Sequence, residues 1–196
     1  RFSFMGQSSE PSYDAQKLLI TKMTNKINKW LDTSAVAGNT AHEFVRDLKN
    51  EYVAAYKGFK YYTVKNALFI QLDMSTGSLR TSNASQWNEF LKLLETNNSD
   101  HVFIFMAKSP DEMTDSMEAK LFKDILTDYR LETGKNVWVF FEGPEDKVIL
   151  ERGVRYFSSR GYNIKGLSME TVDSAMYFLI TVRGKNATYE LKPMTS

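Results

Sequence analysis

The chain has 196 residues, of which 42% are apolar and 25% charged, and its 25 basic and 24 acidic side chains almost cancel. That length supports one buried core in a single domain spanning residues 1–196, and the balanced charge gives no field that would draw nucleic acid or an anionic membrane. The absence of cysteine excludes disulfides, zinc–thiolate and iron–sulfur sites and a cysteine nucleophile, two histidines are too few for most multi-histidine metal sites, and the apolar runs are too short to span a bilayer.

The chain opens at Arg1 directly into Phe2-Ser3-Phe4-Met5-Gly6 with no signal peptide, which leads us to expect a processed or excised piece of a longer protein. Residues 1–6 read as a strand followed by a polar loop. Over 14–31 the apolar positions Leu19, Met23, Ile27 and Trp30/Leu31 recur at helical spacing and predict an amphipathic helix. Residues 32–40 (DTSAVAGNT) read as a loop, and 41–56 as a second helix through Phe44, Leu48, Tyr52 and Ala55. Two β-rich runs, 59–64 and 67–72, flank Lys65-Asn66 and predict a hairpin. Asn83 with Gln86 resembles a capping box opening a helix through Trp87, Phe90/Leu91 and Leu94.

The strongest signals lie between 101 and 146. Two strand-like runs, 101–107 (HVFIFMA) and 137–142 (VWVFFE), flank a helical pattern that begins at Ser109-Pro110-Asp111-Glu112 and stops at Gly134. Strand, helix and strand in this order form a βαβ unit with a right-handed crossover. Beyond 146 the strand patterns at 147–150, 154–158, 175–183 and 187–191 are joined by glycine turns and predict an antiparallel C-terminal third. The whole predicts an α/β (α+β) fold: two mixed β-sheets packed face to face with helices outside.

The order of these segments resembles the calcineurin-like metallophosphoesterases. The residues that carry the resemblance are the 67–73 strand, Gly77 and Arg80, Gln86-Trp87, the strand before Lys108-Ser109-Pro110, Phe140-Phe141-Glu142-Gly143 and Gly153-Val154-Arg155-Tyr156. The family's chemistry uses two metal ions held by aspartates and histidines in loops at strand ends. Here the resemblance places Gln7 and Ser9 at the first metal motif, Ala107 at a lone histidine position, and Gly143, Pro144 and Asp146 in the last motif, while Asp32 lies near another. Alanine and proline cannot ligate a metal, and glutamine and serine are weak neutral ligands. The resemblance therefore implies a degenerate site with no metal and no cofactor.

On that basis the expected function is a non-catalytic module of a larger bacterial protein, extracellular or in the cell envelope, whose partners are neighbouring domains and carbohydrate. Two alternatives stay open. A phosphoesterase with an atypical cation or ligand site requires Asp32, Asp73, Glu142, Glu145 and Asp146 to converge. A carbohydrate-binding module, suggested by Tyr56, Phe59, Tyr61 and Tyr62 alternating with Lys57 and Lys60, requires Tyr61, Tyr62 or Trp138 exposed on one face. His42 and His101 read as solvated residues, Asp111, Glu112, Asp115 and Glu118 as a dipole-matched helix start, and Asn83 and Asn186 as the first residues of glycosylation sequons.

Overall fold

The computed structural model describes residues 1–6, 18, 21–22, 25, 31–37, 52–55, 58–161 and 174–195. Among these, eleven strands form two sheets. One sheet has the order β11-β10-β1-β2-β3, built from β1 (Phe2–Gly6), β2 (Thr33–Ala37), β3 (Tyr52–Ala55), β10 (Met176–Arg183) and β11 (Asn186–Pro193). The other has the order β4-β5-β6-β7-β9-β8, built from β4 (Lys60–Val64), β5 (Ala67–Gln71), β6 (His101–Met106), β7 (Asn136–Glu142), β8 (Lys147–Glu151) and β9 (Val154–Ser159). Both sheets mix parallel and antiparallel pairs, as the sequence predicts.

Strict alternation along the central strands assigns their two faces. Phe69, Phe103, Phe105, Trp138, Phe140 and Phe157 point inward and meet Phe2, Phe4, Phe178 and Ile180 of the other sheet. Rings on neighbouring strands pack closely, with centroids 4.9 Å apart for Phe105 and Phe140 and 4.6 Å for Phe140 and Phe157. The opposite face is aliphatic: Leu68, Ile70, Val102, Ile104, Val137 and Val139 pack beneath a helical layer. Rigid aromatic faces thus fill the space between the sheets, and branched aliphatic chains seat the helices.

That outer layer contains the short α1 (Leu79–Ser82), α2 (Gln86–Thr96) and α3 (Ser116–Thr133). Helices α2 and α3 are the crossovers that join β5 to β6 and β6 to β7, both parallel pairs. Gly134 stops α3 in the left-handed conformation, φ 69°, as predicted. Leu18, Thr21, Lys22 and Asn25 are helical, in agreement with the predicted first helix; its other residues, apart from Leu31, lie outside the described set.

Several local expectations are corrected. Within the predicted loop 32–40, Thr33–Ala37 is strand β2, parallel to β1 on one side and β3 on the other. Its small side chains give little strand signal, and pairing on both edges overrides it. Tyr52–Ala55 likewise forms strand β3 and does not end a helix; residues 41–51 lie outside the described set. The C-terminal third is mixed, because β9 runs parallel to β7 while β8 turns back antiparallel to β9.

The helix predicted from Ser109 is broken into two pieces. Ser109 and Glu112 do form a capping box, but it opens only a 3-10 turn, Pro110–Glu112. Met113 is extended, the Thr114 amide donates to the Gly77 carbonyl at 3.0 Å, and Asp115 caps α3 afresh by accepting from the Met117 and Glu118 amides. The contact to the Gly77 loop claims the amide that a continuous helix would use. Asn83 and Gln86 make no capping box either, since the residue before α2 is Ser85, with no side-chain cap bond. Gln86 is buried and clamps the Asp73 backbone, accepting from its amide and donating to its carbonyl, both at 2.9 Å.

Candidate functional site

The C-terminal ends of β1, β5, β6, β7 and β9 share one edge of the sandwich. Gly6, ending β1, and Gly161, just beyond β9, bring the two sheets into backbone contact there. A Cβ on Gly6 would lie 2.1 Å from the Ser159 carbonyl oxygen, and one on Gly161, at φ +58°, would lie 1.6 Å from the Gly6 oxygen. The loops that leave this edge carry Asp73, Ala107 and the stretch from Glu142 to Asp146, whereas Gln7 and Ser9 lie outside the described residues.

The predicted carboxylates do not converge. Asp73 is buried, and its two oxygens accept from the Gly58 and Ser75 amides, each at 2.8 Å. Asp146 accepts from the Ser159 hydroxyl and the Arg160 amide, each at 3.0 Å, with the Arg160 guanidinium 3.5 Å away. Strands β5 and β9 are separated by β6 and β7, which puts their exits about 14 Å apart at the usual strand spacing. Glu142 ends β7 opposite Ser159, and Glu145 is exposed with the Lys147 ammonium 3.4 Å away. Asp32 precedes β2 at the opposite edge, 2.6 Å from the amino group of Arg1, whose hydrogen bond holds its carboxyl below the usual range.

Ala107 is buried and offers no donor atom beyond its backbone, and Pro144 offers none from its side chain. Among the described residues, no group of three or more histidine, aspartate or glutamate side chains is placed to hold a metal. The described residues therefore do not fit the dinuclear centre of the family that the sequence resembles.

Beside the Gly143 loop, on the helix side of the six-stranded sheet, lies a cavity of about 200 Å³ between β8, the 3-10 turn and α3. Its wall includes Ser109, Lys123, Phe141, Tyr156 and Ser158. The Lys123 ammonium lies 2.8 Å from Asp111 and 3.1 Å from Glu151, and 5.5 Å from the centre of the Tyr156 ring. Burial alone would lower the Lys123 pKa, but hydrogen bonds to both carboxylates outweigh it, and the net direction is upward. Burial, reinforced by Glu151 and Asp111, also raises the Tyr156 pKa, so its phenol stays protonated. The Ser158 hydroxyl is fully buried with no hydrogen-bond partner. Gly143 leaves room for it in this orientation, since a Cβ there would sit 2.1 Å from it.

The sequence reading singles out neither Lys123 nor Ser158, and names Tyr156 only within the Gly153–Tyr156 stretch that carries the resemblance. Two signals were present. Lys123 follows Phe122 on the inward side of α3, and Ser158 continues the helix-facing alternation Val154, Tyr156 with a polar residue at a buried position. The acidic helix start has local duties: Asp111 binds Lys123, Glu112 and Asp115 cap, and Glu118 accepts from the Arg80 amide at 2.8 Å and from the Trp87 indole.

The aromatic residues named for sugar binding do not share one exposed face. Tyr61 is 53% exposed, but Tyr62 stacks on Phe69 on the opposite face of β4, and Trp138 is buried. His101, expected to be solvated, is fully buried. Asn136 Nδ2 donates to the Lys185 carbonyl and to His101 Nδ1, each at 3.1 Å, so His101 carries its proton on Nε2 and donates to the Gly184 carbonyl at 2.8 Å. Asn66 Nδ2 donates to the same carbonyl at 2.7 Å. Three side chains at the base of one sheet thus hold the β10–β11 turn of the other. His42 lies outside the described residues.

No protein-family model and no curated protein matches the chain. Among solved structures, it is similar to a conserved uncharacterized protein from Streptococcus pneumoniae described as a predicted phosphoesterase, at 7% identity and a TM-score of 0.47, over 99% of this chain and 89% of that one. It is also similar to a single mutant of Vps29 from Entamoeba histolytica, at 9% identity and a TM-score of 0.44, over 97% of each chain.

Proposed function

We propose that this chain is a metallophosphoesterase-like domain that does not hydrolyse phosphoesters and serves as a structural or interaction module of a larger bacterial protein outside the cell or in its envelope. The observation that supports this reading is the use made of the strand-end carboxylates. Asp73 and Asp146, two of the five carboxylates named from the sequence, accept hydrogen bonds from backbone amides and, for Asp146, from the Ser159 hydroxyl. A carboxylate that binds a catalytic metal must offer lone pairs to it, and a dinuclear centre needs several such groups within a few ångströms. Here Asp73 and Asp146 tie loops to the sheet ends.

Hydrolysis of a generic phosphodiester in the presence of manganese tests this reading, with wild type compared to Asp146→Ala. Both proteins are expected to show only the background rate, and the variant to be less stable, since Asp146 holds the exit of β9. Turnover by wild type that disappears in the variant would overturn the proposal and make Asp146 a functional ligand.

A further inference from the structure

Strand β11 is the open edge of the five-stranded sheet: among the described residues it pairs with β10 and with no other strand. With eight residues in unbroken register it is longer than β3, β4 and β8, the other strands that end a sheet. The phase of the pairing shows which backbone groups this edge presents. The Met194 amide donates to the Ala175 carbonyl, so these opposed residues are a hydrogen-bonded pair. By alternation, so are Lys192 with Tyr177, Glu190 with Leu179 and Thr188 with Thr181. The intervening Ala187, Tyr189 and Leu191 therefore turn their N–H and C=O groups away from β10, toward the open edge. Their side chains share the face of Val182, Ile180 and Phe178, which is turned to the other sheet. Tyr189 and Leu191 remain 42% and 41% exposed there. An edge of this kind is a template for a further strand.

The residues along the edge select the strand that fits it. A second β11, laid antiparallel about a two-fold axis at Tyr189, sets Tyr189 against its own copy and Ala187 against Leu191. Each outward N–H of these three residues then meets an outward C=O of the other chain. On the opposite face Thr188 meets Glu190 and Asn186 meets Lys192, so no like charges are opposed. Neighbouring registers fit less well. An axis at Glu190 opposes two glutamates at the closest pairing distance, and one at Leu191 sets Tyr189 against Pro193, which has no N–H to donate. An axis at Thr188 carries Leu191 past the strand end, opposite Lys185 of the turn. We propose that β11 is a self-pairing edge, through which two copies of this chain form a dimer whose five-stranded sheets run on as one. The half-exposed Tyr189 and Leu191 side chains are covered where the copies meet.

The pairing goes beyond the functional reading above and holds whether or not the domain hydrolyses phosphoesters. One strand from each chain makes an interface smaller than the roughly 1,200–2,000 Å² of a standard one, so the dimer is weak, with a dissociation constant on the order of 100 μM. Sedimentation equilibrium of the purified chain from micromolar to millimolar concentration is expected to show a monomer–dimer equilibrium. In the ¹⁵N-labelled chain the amides of Ala187, Tyr189 and Leu191 are expected to shift over the same concentrations, while those of β8 and α3 stay in place. Thr188 is exposed on the outer face, so its variants keep the fold, checked by circular dichroism, and report the register. Thr188→Glu, which faces Glu190 at two places in the dimer, is expected to weaken association at least about tenfold. Thr188→Lys is expected to tighten it about threefold or more at low salt. The proposal is overturned if the chain stays monomeric at millimolar concentration, if the two variants associate equally, or if association shifts the β8 or α3 amides in place of those of β11.

Discussion

Gly161 and Gly6 meet backbone to backbone where the two sheets join, with no room for a methyl group on either. The added Cβ of Gly161→Ala would press on the Gly6 carbonyl and would also impose an unfavourable positive φ. We expect a loss of at least about 3 kcal/mol in urea unfolding; a variant within 1 kcal/mol of wild type would mean that the contact opens without penalty. His101 makes a second prediction of this kind. His101→Leu keeps the bulk against Phe103, whose ring lies 5.8 Å from the imidazole, but removes the hydrogen bonds to Gly184 and Asn136. The expected loss is about 2–3 kcal/mol, the penalty for buried polar groups left unpaired, and Asn136→Ala should cost less in that background than in wild type, because the two side chains share one network and only the bond to the Lys185 carbonyl remains to be lost. Neither His101's burial nor its partners could be read locally. Asn98-Ser99-Asp100 before it are turn-forming residues, and the turn it grips is 83 residues away.

Helix α3 and strands β8 and β9 are joined by Lys123, Glu151 and Tyr156, and this junction contributes to the loss of stability at alkaline pH. The Tyr156 and Lys123 pKa values are both raised in the fold. Above about pH 10, where such groups titrate in the unfolded chain, the native state therefore holds protons that the unfolded state has lost, and stability falls as pH rises. The contribution is fully present below that pH and is lost through the raised values. Tyr156→Phe removes the tyrosine part, so its urea midpoint should decline less than that of wild type between about pH 9.5 and 11; parallel curves would contradict the assignment. The same elements show where local patterns sufficed. Strands β5, β6 and β7 were legible because continuous apolar runs leave few alternatives, and the end of α3 because a glycine stops it. The start of α3 was misplaced because Ser109-Pro110-Asp111-Glu112 is a complete helix signal that a distant hydrogen bond, Thr114 to Gly77, cuts short.

The two-sheet architecture with outer helices followed from the order of these segments. Strands β2 and β3 did not, since Thr-Ser-Ala-Val-Ala and Tyr-Val-Ala-Ala become strands by being paired. Ala107 and Pro144 can be read directly as residues that cannot ligate, whereas the cavity at Ser158 exists only once β8, α3 and the Gly143 loop are brought together. The account as a whole rests on the strand-end carboxylates being structural. Elemental analysis of the purified chain after incubation with manganese and desalting tests that most directly. The account predicts substoichiometric metal, with no dependence on Asp73 or Asp146; two equivalents retained per chain, and lost in Asp146→Ala, would contradict it.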